Sequence, residues 1–164
     1  MAAFLDVFSR CNRQLARWCL WFAAFGLVLM TAIIGWQVWA RYVLNNSPNW
    51  SEQFCLFLMI YYILFAAAAG VRENFHIGLS FVRDWAPPPV RRIMLICINS
   101  IVAAFGVGMV WYGSQMAATT WSHVIPTLEL PTGASYLPFP IAGVMFVLFS
   151  LEHLLHAILG RETV

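Results

Sequence analysis

The chain has 164 residues, 62% of them hydrophobic and 10% charged, with nine basic side chains against seven carboxylates for a net charge of +2. Soluble domains carry roughly 25% charged residues, so this composition excludes a water-exposed globule, which would leave a large apolar area in solvent. A mean hydropathy of +0.76 indicates an integral membrane protein, and at ~20 residues per ~30 Å crossing the length accommodates four spans and excludes a large transport core or a sizeable soluble domain beside them.

Residues 4–17 set Phe4, Leu5, Phe8 and Leu15 among Asp6 and three arginines, a pattern that predicts a short amphipathic interfacial helix. Between Arg17 and Arg41 run 23 uncharged residues, Trp18–Ala40, giving a first span at 18–40. That run exceeds the 7–15 residues of a signal-peptide core, so a retained helix is expected. Asn49-Trp50-Ser51-Glu52 resembles a capping box, with Asn49 as N-cap and Glu52 three residues on. It opens a second span at about 52–71. Residues 75–85 are too short to cross and too apolar for an open loop. They are expected to lie along the membrane surface until Pro87-Pro88-Pro89 halts them. The third span is placed at about 93–117, followed by an ordered, non-helical link over 118–138 punctuated by Pro126, Pro131, Gly133 and Pro138. The fourth occupies about 138–159, with Glu152, His153 and His156 in its last turns. The expected fold is one all-α membrane domain, 1–164, with four transmembrane helices. A barrel is excluded because no run alternates apolar and polar residues.

Orientation follows from arginine placement. Arg10, Arg13, Arg17, Arg72, Arg83, Arg91, Arg92 and Arg161 fall on one side and Arg41 alone on the other. The N-terminus, middle link and C-terminus are therefore expected in the cytoplasm (N-in/C-in). These arginines flank the membrane and form no basic cluster elsewhere, so nothing suggests nucleic acid; the partner common to all spans is membrane lipid.

The middle of each predicted span contains no Asp, Glu, Lys, Arg or His. A transporter that moves a charged solute normally embeds an ionisable group there, because its cost of roughly 2.5–3.5 kcal/mol must be repaid by function. The mid-span polar residues Thr31, Asn99 and Ser100 are expected to hydrogen-bond to neighbouring helices. Cys11, Cys19, Cys55 and Cys97 show no metal-ligand or redox spacing and read as small buried hydrophobes. His153 and His156 share a helix face, which keeps a haem-anchoring or redox subunit as the alternative, although a haem held between helices needs a second histidine on another span. Ala66 to Gly70 end the second span and Ala104-x-x-x-Gly108 lies in the third, with Gly26 and Gly35 in the first. Small residues at such spacing allow close helix packing in lipid. So little chemistry with several packable faces indicates a subunit that docks on a larger membrane partner.

Taken in order, Arg41 after the first span, Trp50-Ser51-Glu52 opening the second, the alanine run leading to Arg72-Glu73 and His76-Ile77, and the late Leu130-Pro131…Tyr136…Pro138-x-Pro140 resemble the small membrane subunit, DctQ-like, of the tripartite ATP-independent periplasmic (TRAP) transporters. The sequence departs from that pattern at Gln53, where a second carboxylate is expected, and at Leu79-Ser80 after His-Ile. The resemblance implies a non-enzymatic subunit of the bacterial inner membrane with no cofactor of its own. Its partners would be a large membrane subunit that holds the substrate and sodium sites and a periplasmic solute-binding protein that delivers an organic acid. Arg41, Trp50, Glu52, Arg72, Glu73, His76 and Glu129 are the candidate docking or structural residues, with Arg41, Glu52 and Glu129 expected to meet the binding protein. Ala66, Gly70, Ala104 and Gly108 are the candidate packing residues.

Overall fold

The computed structural model describes residues 2–46, 48–73 and 88–158. Among the described residues there are four α-helices: α1 (Ala2–Val43), α2 (Asn49–Arg72), α3 (Pro88–Thr119) and α4 (Pro138–Ile158). All four include stretches long and apolar enough to cross a membrane. Between α3 and α4 lie two-residue antiparallel strands, β1 (Val124–Ile125) and β2 (Leu130–Pro131), and a 3-10 turn over Thr132–Tyr136.

α1 runs unbroken for 42 residues, so no separate amphipathic helix precedes the first span. The reason is local: no proline occurs before Pro48 and no glycine before Gly26, and arginines end a membrane segment without ending a helix. α1 stops at Asn45, whose φ of 48° is the left-handed conformation asparagine tolerates; the Asn46 N–H then bonds back to the Ala40 carbonyl at 3.3 Å. The N-cap of α2 is Pro48 (φ −70°, ψ 116°), with no side-chain cap bond. The expected capping box is therefore corrected: Asn49 already has helical geometry and cannot reach forward, and Ser51 Oγ donates to the Pro48 carbonyl instead at 2.8 Å. Pro88 and Pro89 begin α3, in the first turn where a missing N–H costs nothing. The surface segment expected at 75–85 lies outside the described residues, as do His76, Arg83 and Arg161.

The helices stand in a row, α1–α2–α4–α3. α3 packs along α4, α4 on α2 and α2 on α1; α1 meets α4 over a short stretch and has no extended contact with α3. This is an open layer and not a closed bundle. Of the most apolar window, a third of α4 is buried, against 17% for α1 and α3. The core is correspondingly thin and built of small residues: Ala16, Cys19, Ala68, Ala69 and Ala142 around Phe146 and Phe149. Lipid tails are as apolar as leucine, so close van der Waals contact must hold the helices together. The α3 and α4 backbones come together at Gly106 and Gly143, where a Cβ on either residue would fall within 2.9 Å of the other's carbonyl oxygen. A Cβ on Gly26 would lie 2.8 Å from Tyr62 Cβ at the α1–α2 crossing, beside an edge-to-face Phe22–Phe65 pair.

Candidate functional site

Two clusters of polar groups mark opposite ends of the layer. At the first, Ser9 and Asn12 sit three residues apart on one face of α1 and meet Glu152 of α4. Ser9 Oγ donates to Glu152 Oε1 at 2.7 Å and Asn12 Nδ2 to Oε2 at 2.8 Å. Arg72, the last residue of α2, brings Nη2 to 3.4 Å from the same Oε1 and from the Ser9 carbonyl. His153, next to Glu152, donates Nε2–H to the Arg72 carbonyl at 3.0 Å, so a backbone oxygen at the end of α2 is satisfied from α4. Asn12 and Glu152 are each 4% exposed. With three donors on one carboxylate and a guanidinium balancing its charge, the cluster is a clasp that ties α1, α2 and α4 at one point. Held at both oxygens and buried, this carboxylate is closed to a solute. Buried beside it without protein partners are Arg72 Nε, Ser150 Oγ and His156 Nδ1.

The clasp lies at the membrane edge. Arg17 and Arg41 are 24 residues apart on one helix, about 36 Å at 1.5 Å per residue, slightly more than the ~30 Å hydrocarbon core. Asn12 stands five residues outside Arg17, which places its partner Glu152 at headgroup level too. The arginine that meets Glu152 is the terminal residue of α2. Glu73, beside Arg72, is exposed and caps α2 through its N–H to the Ala69 carbonyl at 3.1 Å.

At the opposite end stand Arg41, Trp50, Glu52 and Glu129, all exposed. Trp50 packs edge-on against Phe54, with ring centroids 6.2 Å apart. The β1–β2 hairpin is bounded by Thr132 N–H to the His123 carbonyl at 2.6 Å, and its turn holds Glu129 at φ 54°, with the Glu129 N–H on the Ile125 carbonyl at 2.9 Å. The link predicted as non-helical thus contains the 3-10 turn, and Tyr61 of α2 anchors that turn by donating to the Ala134 carbonyl at 2.7 Å. The end is therefore rigid although it carries little charge.

Two of the polar residues between the ends close on their own helices, whereas Tyr62 Oη donates across the α1–α2 contact to Met30 Sδ at 3.5 Å. Thr31 Oγ1 donates to the Leu27 carbonyl at 2.9 Å and Asn99 Nδ2 to the Leu95 carbonyl at 2.8 Å, each on its own helix four residues back. The expected bonds to neighbouring helices are not made by these two groups, which turn back on the i−4 carbonyl of their own helix. Among the described residues no three His, Cys, Asp or Glu side chains gather as a metal site. The four cysteines are free thiols; Cys19 and Cys55 are buried as expected, but Cys11 and Cys97 are exposed, because they lie on faces of α1 and α3 that no other helix covers.

Of the small residues singled out from sequence, Ala66 and Gly70 are partly buried on α2, whereas Ala104 is exposed and a Cβ on Gly108 would meet nothing within 4 Å. α3 turns Gly106 and Gly113 toward α4 instead. A Cβ on Gly113 would approach Phe139 Cβ to 2.8 Å, and one on Gly133 would strike the Ala117 carbonyl. Sequence reasoning missed Ser9, Asn12, Gly106, Gly113 and Gly143. The seven-residue spacing of Gly106 and Gly113 and the small or polar stripe Asn12-Ala16-Cys19-Ala23-Gly26 were the available signals.

Comparison with known proteins places the chain in context. The family described as "Tripartite ATP-independent periplasmic transporters, DctQ component" matches residues 30–160. The sialic acid TRAP transporter small permease protein SiaQ of Vibrio cholerae is 24% identical over 77% of this chain and 73% of its own length. The C4-dicarboxylate TRAP transporter small permease protein DctQ of Rhodobacter capsulatus is 27% identical over 57% of this chain and 42% of its own. A putative TRAP transporter small permease protein of Haemophilus influenzae is 21% identical over 88% and 89%, respectively.

Proposed function

Because the chain belongs to the DctQ-component family of the tripartite ATP-independent periplasmic transporters, multi-pass proteins of the bacterial inner membrane and not enzymes, we propose that it braces a large membrane subunit that carries out the transport. The observation that supports this most is the distribution of polar groups. The described acidic, basic and histidine side chains lie at the ends of the layer, the buried Glu152 carboxylate is held at both oxygens by its own chain, and Thr31 and Asn99 bond to their own helices. Among the described residues no acidic, basic or histidine side chain stands at mid-depth to hold an ion or a carboxylate solute. The sodium site and the substrate site belong to the large subunit, and this chain takes no cofactor.

Orientation follows from charge: the clasp end, with Arg10, Arg13, Arg17, Arg72, Arg91 and Arg92, faces the cytoplasm. The hairpin end then faces the periplasm, where Arg41, Trp50, Glu52 and Glu129 form part of the surface on which a solute-binding protein docks. The relatives' solutes, sialic acid and C4-dicarboxylates, are organic acids. An organic acid is the cargo proposed here, imported down the sodium gradient. The haem-anchoring alternative has no support, because the family is one of transporters and His153 commits Nε2 to a backbone carbonyl. Co-expression with the large membrane subunit proposed here tests the reading. The two should co-purify in equal amounts, and recovery of either alone in full from mild detergent would overturn it.

A further inference from the structure

One face of α1 is used by neither the clasp nor the helix packing. α1 turns Asn12, Ala16, Cys19, Ala23 and Gly26 into the layer. At 100° per residue, Arg10, Arg13 and Arg17 lie on the opposite side together with Trp21 and Ala24, and all three arginines are exposed. Among the described residues, Arg13 and Arg17 have no carboxylate partner. Asp6, one turn before Arg10, is the only acid in this stretch of sequence, so the segment keeps an excess of positive charge. Arg17 stands at headgroup depth by the distance to Arg41 worked out above, with Arg13 and Arg10 further out. Just inside it, a shallow groove of about 280 Å³ is lined by Arg17, Leu20, Trp21 and Ala24. Trp18 and Trp21 are 66% and 75% exposed beside it, a placement typical of the bilayer interface.

We propose that this face binds an anionic phospholipid, with Arg13 and Arg17 on the phosphate, Arg10 on the outer part of the headgroup and an acyl chain along Leu20, Trp21 and Ala24. The surface grades from cationic to apolar over two helical turns in the direction in which a phospholipid grades from anionic to apolar. A protein partner on the same face would have to desolvate three guanidinium groups and supply the matching acids, whereas a headgroup keeps them hydrated. Near an anionic surface each arginine contributes roughly fivefold to binding, on the order of a hundredfold for the three.

The test uses the full-length chain reconstituted in bilayers of equal phosphatidylglycerol and phosphatidylcholine, extracted in mild detergent, with retained lipid measured by native mass spectrometry. The wild-type chain should keep phosphatidylglycerol over phosphatidylcholine by at least about tenfold. The Arg10→Gln/Arg13→Gln/Arg17→Gln variant should fall to parity, and the corresponding triple lysine variant should retain most of the preference. Ala24→Phe, which fills the groove and keeps every charge, should lower phosphatidylglycerol retention severalfold and decides the matter if the triple variant does not fold. Equal retention of both lipids by the wild type would overturn the proposal, as would an unchanged preference in the triple glutamine variant. So would a loss of large-subunit binding with lipid retention intact, which would assign the face to a protein partner.

Discussion

Replacing Arg72 by methionine should destabilise the chain more than any other single surface-accessible substitution at the clasp. At the 3.4 Å separation of Arg72 Nη2 and Glu152 Oε1, an effective dielectric near 20 gives a gross attraction of about 5 kcal/mol. Removing one member of a buried pair costs about 3–5 kcal/mol, chiefly because the other charge is left uncompensated. Two observations reduce that figure here. Glu152 keeps the Ser9 and Asn12 donors, and the Arg72 side chain is 16% exposed, so part of its charge is already hydrated. The expected loss is therefore about 2–3 kcal/mol, a fall in Tm on the order of 5–10 °C for a chain of this size. Glu152→Met should cost a similar amount because it strands the buried Asn12 amide. The Arg72→Met/Glu152→Met double variant should cost clearly less than the two singles added, with a coupling energy of about 2 kcal/mol. Tryptophan fluorescence during thermal unfolding in detergent measures all three. Strict additivity, or a Tm for Arg72→Met within about 1 °C of the wild type, would refute the clasp as the tie between α1, α2 and α4.

Further outcomes follow from the same geometry. Gly143→Leu should destabilise the isolated chain by at least about 1–3 kcal/mol, since its Cβ would meet the Gly106 carbonyl at 2.7 Å, whereas Gly108→Leu should leave its thermal unfolding unchanged; equal Tm values for the two variants would contradict the packing described. Tyr61→Phe removes the bond to the Ala134 carbonyl and should cost about 1 kcal/mol, read as a lower Tm and faster proteolysis between His123 and Tyr136. Reversing charge at Arg41, Glu52 and Glu129 together should reduce uptake severalfold at limiting binding protein without lowering complex yield; uptake that is indifferent to all three changes would remove them from the docking surface.

What could be read from the sequence was governed by range. Four helices were legible because apolar run length against bilayer thickness is a local property, and the mute centre because charges are counted along one run at a time. The continuity of α1 was legible only in part: arginines signal the membrane edge, and the lack of any glycine or proline from Ala2 to Phe25 is what carries the helix through it. The clasp was not legible, since Arg72 and Glu152 are 80 residues apart and no local pattern says which arginine a helix-borne glutamate will meet. Glycine content indicated close packing but not its face. Gly106 and Gly108 are 200° apart on the helix, and only the partner helix decides which of them is covered. The Asn49 cap failed because Pro48 takes the N-cap position first.

Uptake into proteoliposomes built from this chain, its large membrane subunit and the solute-binding protein tests the central claim most directly. With Thr31→Val and Asn99→Leu introduced together, removing the two mid-span polar side chains whose bonds close on their own helices, the account predicts sodium-driven uptake at the wild-type rate when all components are present and none from this chain alone. Loss of sodium coupling in that variant, or solute movement by this chain without its partners, would contradict it.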